Sequence, residues 1–112
     1  ARAIINVTSD KCYENDGSGD RAFVENDRLG GFDPYSASKA CAEIAATSYQ
    51  KSFFRTNTQK LASVRAGNVI GGGDWAEDRL FPDIIRAYLH NHTLCIRNKY
   101  AVRPWQHVLD PL

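Results

Sequence analysis

Methionine is missing altogether from this 112-residue sequence, and the first position is Ala1. The chain enters at once into an apolar run, Ala3-Ile4-Ile5-Asn6-Val7, and stops at Pro111-Leu112 with no closing element. Together these features predict an internal piece of a longer protein. Cysteine is scarce, and Cys12, Cys41 and Cys95 form no Cys-x-x-Cys pair and no Cys/His cluster. That pattern argues against a disulfide framework and a zinc site, and for a reducing, cytoplasmic setting. No apolar run approaches the ~20 residues a membrane span needs, and the start carries no signal-peptide pattern. Neither sign of charge is in excess: the net charge is +1 with 24% charged residues. Nothing therefore draws the chain electrostatically to nucleic acid or to an anionic membrane. Internal repeats and low-complexity tracts are absent as well. What remains is an ordinary globular composition, 43% hydrophobic, with room for one domain at most.

Residues 3 to 8 are mostly apolar and alternate poorly, as expected of a strand buried on both faces of a parallel sheet. From Tyr13 to Gly31 the chain is polar and rich in Gly, Asp and Asn, which predicts a long loop of the kind that usually serves function. Asp33 can cap a helix whose first position suits Pro34. This helix is expected to run to about Phe54, with Ala37, Cys41, Ile44, Ala45 and Tyr49 as its apolar stripe. Residues 60 to 70 read as a second strand, ending in a turn at Gly71-Gly72-Gly73-Asp74. A second helix is expected over about Leu80 to His90, with Phe81, Ile84, Ile85, Tyr88 and Leu89 inward. Thr93 to Arg97 reads as a short strand. This alternation predicts an α/β fold with a parallel, doubly wound sheet.

Chemistry concentrates in Tyr35-Ser36-Ala37-Ser38-Lys39, at the start of the first helix. A spacing of four puts the phenol and the ammonium on one helix face, where the cation favours negative charge on the phenol oxygen. Tyr35 is then placed to exchange a proton with a sugar hydroxyl. By itself Tyr-x-x-x-Lys is a weak signal, since a surface tyrosine and a solvated lysine give the same letters. Its context is more specific. Thr8-Ser9-Asp10-Lys11-Cys12-Tyr13 follows the first strand, and ligand sites in open α/β sheets gather at the carboxyl ends of strands. Cys12 reads as a packed neighbour rather than a nucleophile. Trp75, Trp105 and His107 suit packing as well as they suit contact.

A strand, a serine, a loop and then Tyr-x-x-x-Lys is the arrangement of the short-chain dehydrogenase/reductase superfamily, and this sequence resembles its extended, nucleotide-sugar branch. The segments TSDKCY, GGFDPYSASKACAE, VRAGNVIGGGDWAEDRLFPDIIRA and IRNKYAVRPWQHVLDPL resemble, in order, the CDP-glucose 4,6-dehydratases. The dTDP-glucose relatives carry Thr-Asp-Glu where this sequence has Ser9-Asp10-Lys11. They also carry Arg-Asp-Trp where it has Arg103-Pro104-Trp105.

The resemblance implies a Rossmann-like domain. Residues 1 to about 75 would form its catalytic half, and about 76 to 112 the start of the nucleotide-sugar-binding region. It also implies NAD as cofactor and CDP-glucose as substrate. The reaction would be oxidation at C4, loss of water across C5 and C6, and hydride return to C6, in deoxysugar and O-antigen (lipopolysaccharide) biosynthesis. Ser9, Tyr35 and Lys39 would serve the oxidation, with Asp10 protonating the departing C6 hydroxyl. Lys11 would act at C5, either as a neutral base or as a charged stabiliser of the enolate. Tyr35, Lys39 and Val69 would meet the cofactor. Ser9, Asn68, Arg79, Leu80, Arg97 and Arg103 would meet the nucleotide sugar, with Arg103 on the pyrophosphate and Arg97 at the base or its ribose. Family members pair through the Tyr-Lys helix, so a homodimer or higher oligomer is implied, with Ala40, Ala45 and Ala46 permitting close approach.

The Gly-rich dinucleotide fingerprint of the family does not occur within these residues. Two other readings compete. A 4-epimerase of the same superfamily shares Ser, Tyr and Lys but needs no acid/base pair for water loss, which Asp10-Lys11 supplies. A non-catalytic binding relative has no need of the intact Ser9, Tyr35 and Lys39.

Overall fold

Five residues, Ala3–Val7, form strand β1, whose β-branched Ile4, Ile5 and Val7 suit a pleated surface. The computed structural model describes residues 2–17, 21–54 and 59–112. They fall into two compact units, Ala1–Gly67 and Asn68–Leu112.

In the first unit β1 leads into a 3-10 turn, Asp10–Cys12. Residues 13–17 and 21–31 of the expected loop form no helix or strand and are tied by an isolated antiparallel bridge between Tyr13 and Leu29, while residues 18–20 lie outside the described residues. Helix α1, Pro34–Phe53, begins as its sequence predicts: Asp33 caps it by accepting a hydrogen bond from Ser36 N, and Pro34 opens the first turn. Strand β2, Lys60–Val64, pairs in parallel with β1, Ala3 facing Lys60 and Val7 facing Val64. A parallel pair needs a crossover, and α1 is that crossover, packed on both strands and on the 3-10 turn. Asn6 in β1 joins the layers, its amide donating to Ser63 Oγ at 3.1 Å and to Ala42 O at 3.5 Å.

The second unit holds strand β3, Asn68–Ile70, helix α2, Leu80–Leu89, and strand β4, Trp105–His107. β3 and β4 are parallel, with Asn68 opposite Trp105 and Ile70 opposite His107. Between β3 and α2 the turn at Gly72 and Gly73 forms as expected, Gly73 taking a φ of 84°.

Four expectations need correction. The strand expected over residues 60 to 70 is two strands. At Arg65 to Gly67 the backbone leaves the ladder, and the Ala66 carbonyl accepts from Asp10 N instead. Thr93 to Arg97 pairs with no strand among the described residues, and the strand beside β3 is Trp105–His107. β1 is not buried on both faces, since Ile5 and Val7 are 58% and 64% exposed. The apolar stripes also point outward. On α1 the buried residues are Ser36, Ala40 and Glu43, while Cys41, Ile44, Ala45 and Tyr49 are exposed. On α2, Phe81, Ile84, Ile85, Tyr88 and Leu89 are exposed and Pro82 is buried. The small buried cluster of Cys12, Tyr13 and Ala40, with Leu29 against it, sits between the 3-10 turn and α1.

Candidate active site

Ser9 stands where β1 ends, in extended backbone, as the N-cap of the 3-10 turn. It is 7% exposed. Its hydroxyl accepts from Lys11 N at 3.3 Å and donates to Asp10 Oδ1 at 3.0 Å. The turn therefore gathers a hydroxyl, a carboxylate and an ammonium within three residues, with Asp10 and Lys11 half-buried.

Tyr35 lies in the first turn of α1 and is half-exposed, which leaves its phenol accessible. Lys39, one turn on, holds Nζ 5.7 Å from the Tyr35 ring centroid, as the four-residue spacing predicts. The first turn is anchored. Asp33 Oδ2 accepts from Ser36 Oγ at 2.6 Å, and these Ser36 hydrogen bonds hold the Asp33 carboxyl below its ordinary range. Gly31 reinforces the close approach, since a Cβ there would stand 2.5 Å from Ser36 Cβ and 2.7 Å from Ala37 N. With α1 packed on the 3-10 turn, Ser9, Asp10, Lys11, Tyr35 and Lys39 all belong to one unit.

The other expected site residues belong to the second unit. Asn68 begins β3 half-buried, and its Oδ1 is a buried side-chain oxygen with no hydrogen-bond partner. An orphaned acceptor at depth is costly and calls for a donor. Val69 follows it in β3. Arg79 takes the N-cap position of α2 without a side-chain cap bond, and Leu80 is the helix's first residue. Arg97 is engaged: it grips Asp78 through Oδ1 at 2.6 Å and the carbonyl at 2.8 Å, where Asp78 holds a φ of 61°. Arg103 is exposed just before β4. Trp105 packs edge-on against Phe81, with centroids 5.0 Å apart.

The sequence reading missed a polar network beneath the turn. Glu43, 4% exposed, receives Arg65 in a two-point fork, Nε to Oε1 at 2.6 Å and Nη2 to Oε2 at 2.7 Å. The Thr8 hydroxyl donates to the same carboxylate, and Cys12 Sγ lies 3.7 Å from it. Arg65 also donates to Tyr13 Oη at 2.7 Å and covers that ring at 4.7 Å. The hydrogen bonds from Arg65 outweigh burial and hold the Glu43 carboxyl below its ordinary range. Burial pushes the Cys12 thiol up, which suits a packed residue and not a nucleophile. One signal was present in the letters: Glu43 continues the four-residue spacing of Tyr35 and Lys39.

Comparison with known proteins follows the same lines. The model of the NAD dependent epimerase/dehydratase family matches residues 1–111. CDP-glucose 4,6-dehydratase of Salmonella typhimurium is 54% identical over 120 aligned positions, covering 99% of this chain and 32% of that protein. This chain thus spans about a third of the length of that curated relative. Among solved structures, dTDP-glucose 4,6-dehydratase from Bacillus anthracis in complex with NAD superposes with a TM-score of 0.80 at 29% identity. That match covers 95% of this chain and 33% of the other. A UDP-N-acetylglucosamine 4-epimerase from Methanobrevibacter ruminantium shares the fold at 22% identity, with a TM-score of 0.78, covering 96% of this chain and 34% of its own.

Proposed function

Because this chain belongs to the NAD dependent epimerase/dehydratase family, we propose that it carries the catalytic centre of an NAD-dependent enzyme. In our reading that enzyme converts CDP-glucose to its 4-keto-6-deoxy product. The observation that carries this reading is the Ser9-Asp10-Lys11 turn packed on the helix of Tyr35 and Lys39. An oxidation at C4 alone needs Ser9, Tyr35 and Lys39. A neighbouring carboxylate and amine are what removing water across C5 and C6 adds. Identity with the Salmonella enzyme at 54% supports the same substrate.

The residues suit a bound nicotinamide cofactor. Tyr35 and Lys39 form an accessible pair at a helix start, and the family resemblance adds Val69 as a cofactor contact. When bound, NAD supplies the acceptor for the C4 hydrogen and its return to C6. Tyr35 takes the proton of the C4 hydroxyl, favoured by Lys39 and by the positive end of α1. Ser9 orients that hydroxyl once its own O–H turns from Asp10. Asp10 gives a proton to the departing C6 oxygen, and Lys11 acts at C5 as base or as electrostatic stabiliser. Asn68, Arg79, Leu80, Arg97 and Arg103 hold the nucleotide sugar. Asn68 Oδ1 is an acceptor awaiting a donor, and an arginine fork such as that of Arg103 suits the pyrophosphate oxygens. Arg97 reaches a ligand only by giving up Asp78. The setting is cytoplasmic deoxysugar supply to O-antigen and lipopolysaccharide, and no helix among the described residues is long and apolar enough to cross a membrane.

The test uses the full-length protein carrying this segment, with CDP-glucose and dTDP-glucose side by side. CDP-glucose should be dehydrated in preference. Tyr35→Phe should abolish C4 oxidation while nucleotide binding survives. Lys11→Met should still reduce bound NAD but lose solvent deuterium exchange at C5, with product falling ~10²–10⁴-fold. Equal turnover of the two substrates, or rapid C5 exchange in the Lys11 variant, would overturn the assignment.

A further inference from the structure

We infer that the pair of buried Glu43 and part-buried Arg65 is a positioning pair, which fixes the Ser9-Asp10-Lys11 turn against the helix face of Tyr35 and Lys39 and so governs the elimination half of the reaction. The inference rests on the dehydratase reading above.

Glu43 follows Lys39 by four residues and Tyr35 by eight. At ~1.5 Å per residue this places the three along one stripe of α1, ~12 Å from first to last. One rigid element therefore carries both the acid/base pair and the anchor. Both carboxylate oxygens of the anchor are engaged, Oε1 by Arg65 Nε, the Thr8 hydroxyl and the Cys12 thiol, Oε2 by Arg65 Nη2.

These partners bracket the reactive turn. Thr8 immediately precedes Ser9, and Cys12 immediately follows Lys11. Tyr13 comes next and is held by Arg65 through its hydroxyl and its ring face. The residue after Arg65 contributes as well, its carbonyl accepting from Asp10 N at 3.0 Å. Ser9, Asp10 and Lys11 are thus clamped from both sides, while the Ser9 hydroxyl bonds only within the turn, to Asp10 Oδ1 and the Lys11 N–H. A buried ion pair is weak support for stability in its own right, because apolar replacements often serve as well. What the guanidinium fork adds is direction. It fixes where the end of β1 sits along α1, and so the reach of Asp10 and Lys11 towards a sugar held by Tyr35.

The experiment compares Thr8→Val, Thr8→Ser, Glu43→Gln and Arg65→Lys in the full-length protein with NAD and CDP-glucose. Thr8→Val removes the hydroxyl at nearly constant shape. It should lower kcat for product ~10–100-fold, the scale of a ~1 Å misplacement, with KM almost unchanged. The steady-state fraction of bound NADH should rise, because elimination, which needs Asp10 and Lys11, slows more than an oxidation that keeps Tyr35 and Lys39 on α1. Thr8→Ser keeps the hydroxyl and should retain kcat. Should Thr8→Val fail to fold, Glu43→Gln and Arg65→Lys are read in the same way. A purely structural pair would lower the melting temperature yet leave kcat per folded molecule and the NADH fraction as in wild type, which overturns the inference alone. Absence of CDP-glucose turnover in the wild-type protein overturns the dehydratase reading, and this inference with it.

Discussion

At the scale of single residues, the group most dependent on its surroundings is Glu43. Its carboxyl is held below the ordinary range first by hydrogen bonds from Arg65 and then by the Thr8 hydroxyl, against the opposing cost of burial. A carboxyl depressed on folding contributes stability above its unfolded value and loses it as pH falls through the folded one. The affected window therefore opens just below the ordinary glutamate value of ~4.3 and extends to lower pH. Breaking one side of a fully buried pair costs about 3 kcal/mol at neutral pH, and the partial exposure of Arg65 makes the cost here smaller. Glu43→Gln should accordingly be less stable than wild type at neutrality, and the two should converge in acid. Denaturant midpoints of the full-length proteins at several pH values measure this. A constant gap down to strongly acidic pH would mean that the carboxylate charge contributes nothing.

At the scale of elements, α1 was legible because its start is written in local chemistry. Asp33, Pro34 and the helical spacing of its apolar residues give its bounds almost to the residue. Its orientation was not legible. Hydrophobic periodicity assigns Cys41, Ile44, Ala45 and Tyr49 to the core, yet the face turned inward is Ser36, Ala40 and Glu43. A buried carboxylate is readable only with its arginine, and Arg65 lies 22 residues further along. β4 escaped for a related reason: Trp105-Gln106-His107 has no apolar alternation, and only its ladder with β3 makes it a strand. Of the candidate site, the placement of Lys39 beside Tyr35 and the grouping of Ser9, Asp10 and Lys11 in one turn were legible, because each set is contiguous or spaced by one helical turn. The entry to α1 offers a test of how rigid that element must be. In Gly31→Ala the new methyl meets backbone at 2.7 Å, which cannot swing aside as a side chain can. The change should cost about 1–3 kcal/mol of stability and slow the proposed C4 oxidation by displacing the turn of Tyr35. A thermal melt alongside single-turnover NADH formation checks both, and unchanged values in each would show that the N-terminus of α1 yields freely.

At the scale of the whole molecule, the outward face of α1 is the surface to explain. Ile44, Tyr49 and Phe53 are 58%, 59% and 61% exposed, and Ala45 lies among them. Of the alanines expected to admit a second helix, Ala40 is excluded, being 5% exposed beneath Cys12 and Tyr13. Ala45, the half-buried Ala46 and the aromatic end of the face remain, and we propose that they meet the same helix of a second copy. Sedimentation of the full-length protein at micromolar concentration should show a dimer, and Ile44→Asp should yield monomer with the Tyr35–Lys39 pair untouched. A monomeric wild-type protein would rule this out.

The parallel pairing of β1 with β2 has a further consequence during synthesis. Asn6 bonds Ser63 across 57 residues of chain, and the ribosome adds ~5–20 residues per second. From the moment β1 emerges, roughly 3–11 s pass before its partner strand exists. Throughout that interval the edge of β1 that β2 covers in the folded unit lacks this partner, and an unpaired edge is what templates wrong pairings. Slowing translation between Lys11 and Lys60 lengthens the wait of β1 for β2 in direct proportion.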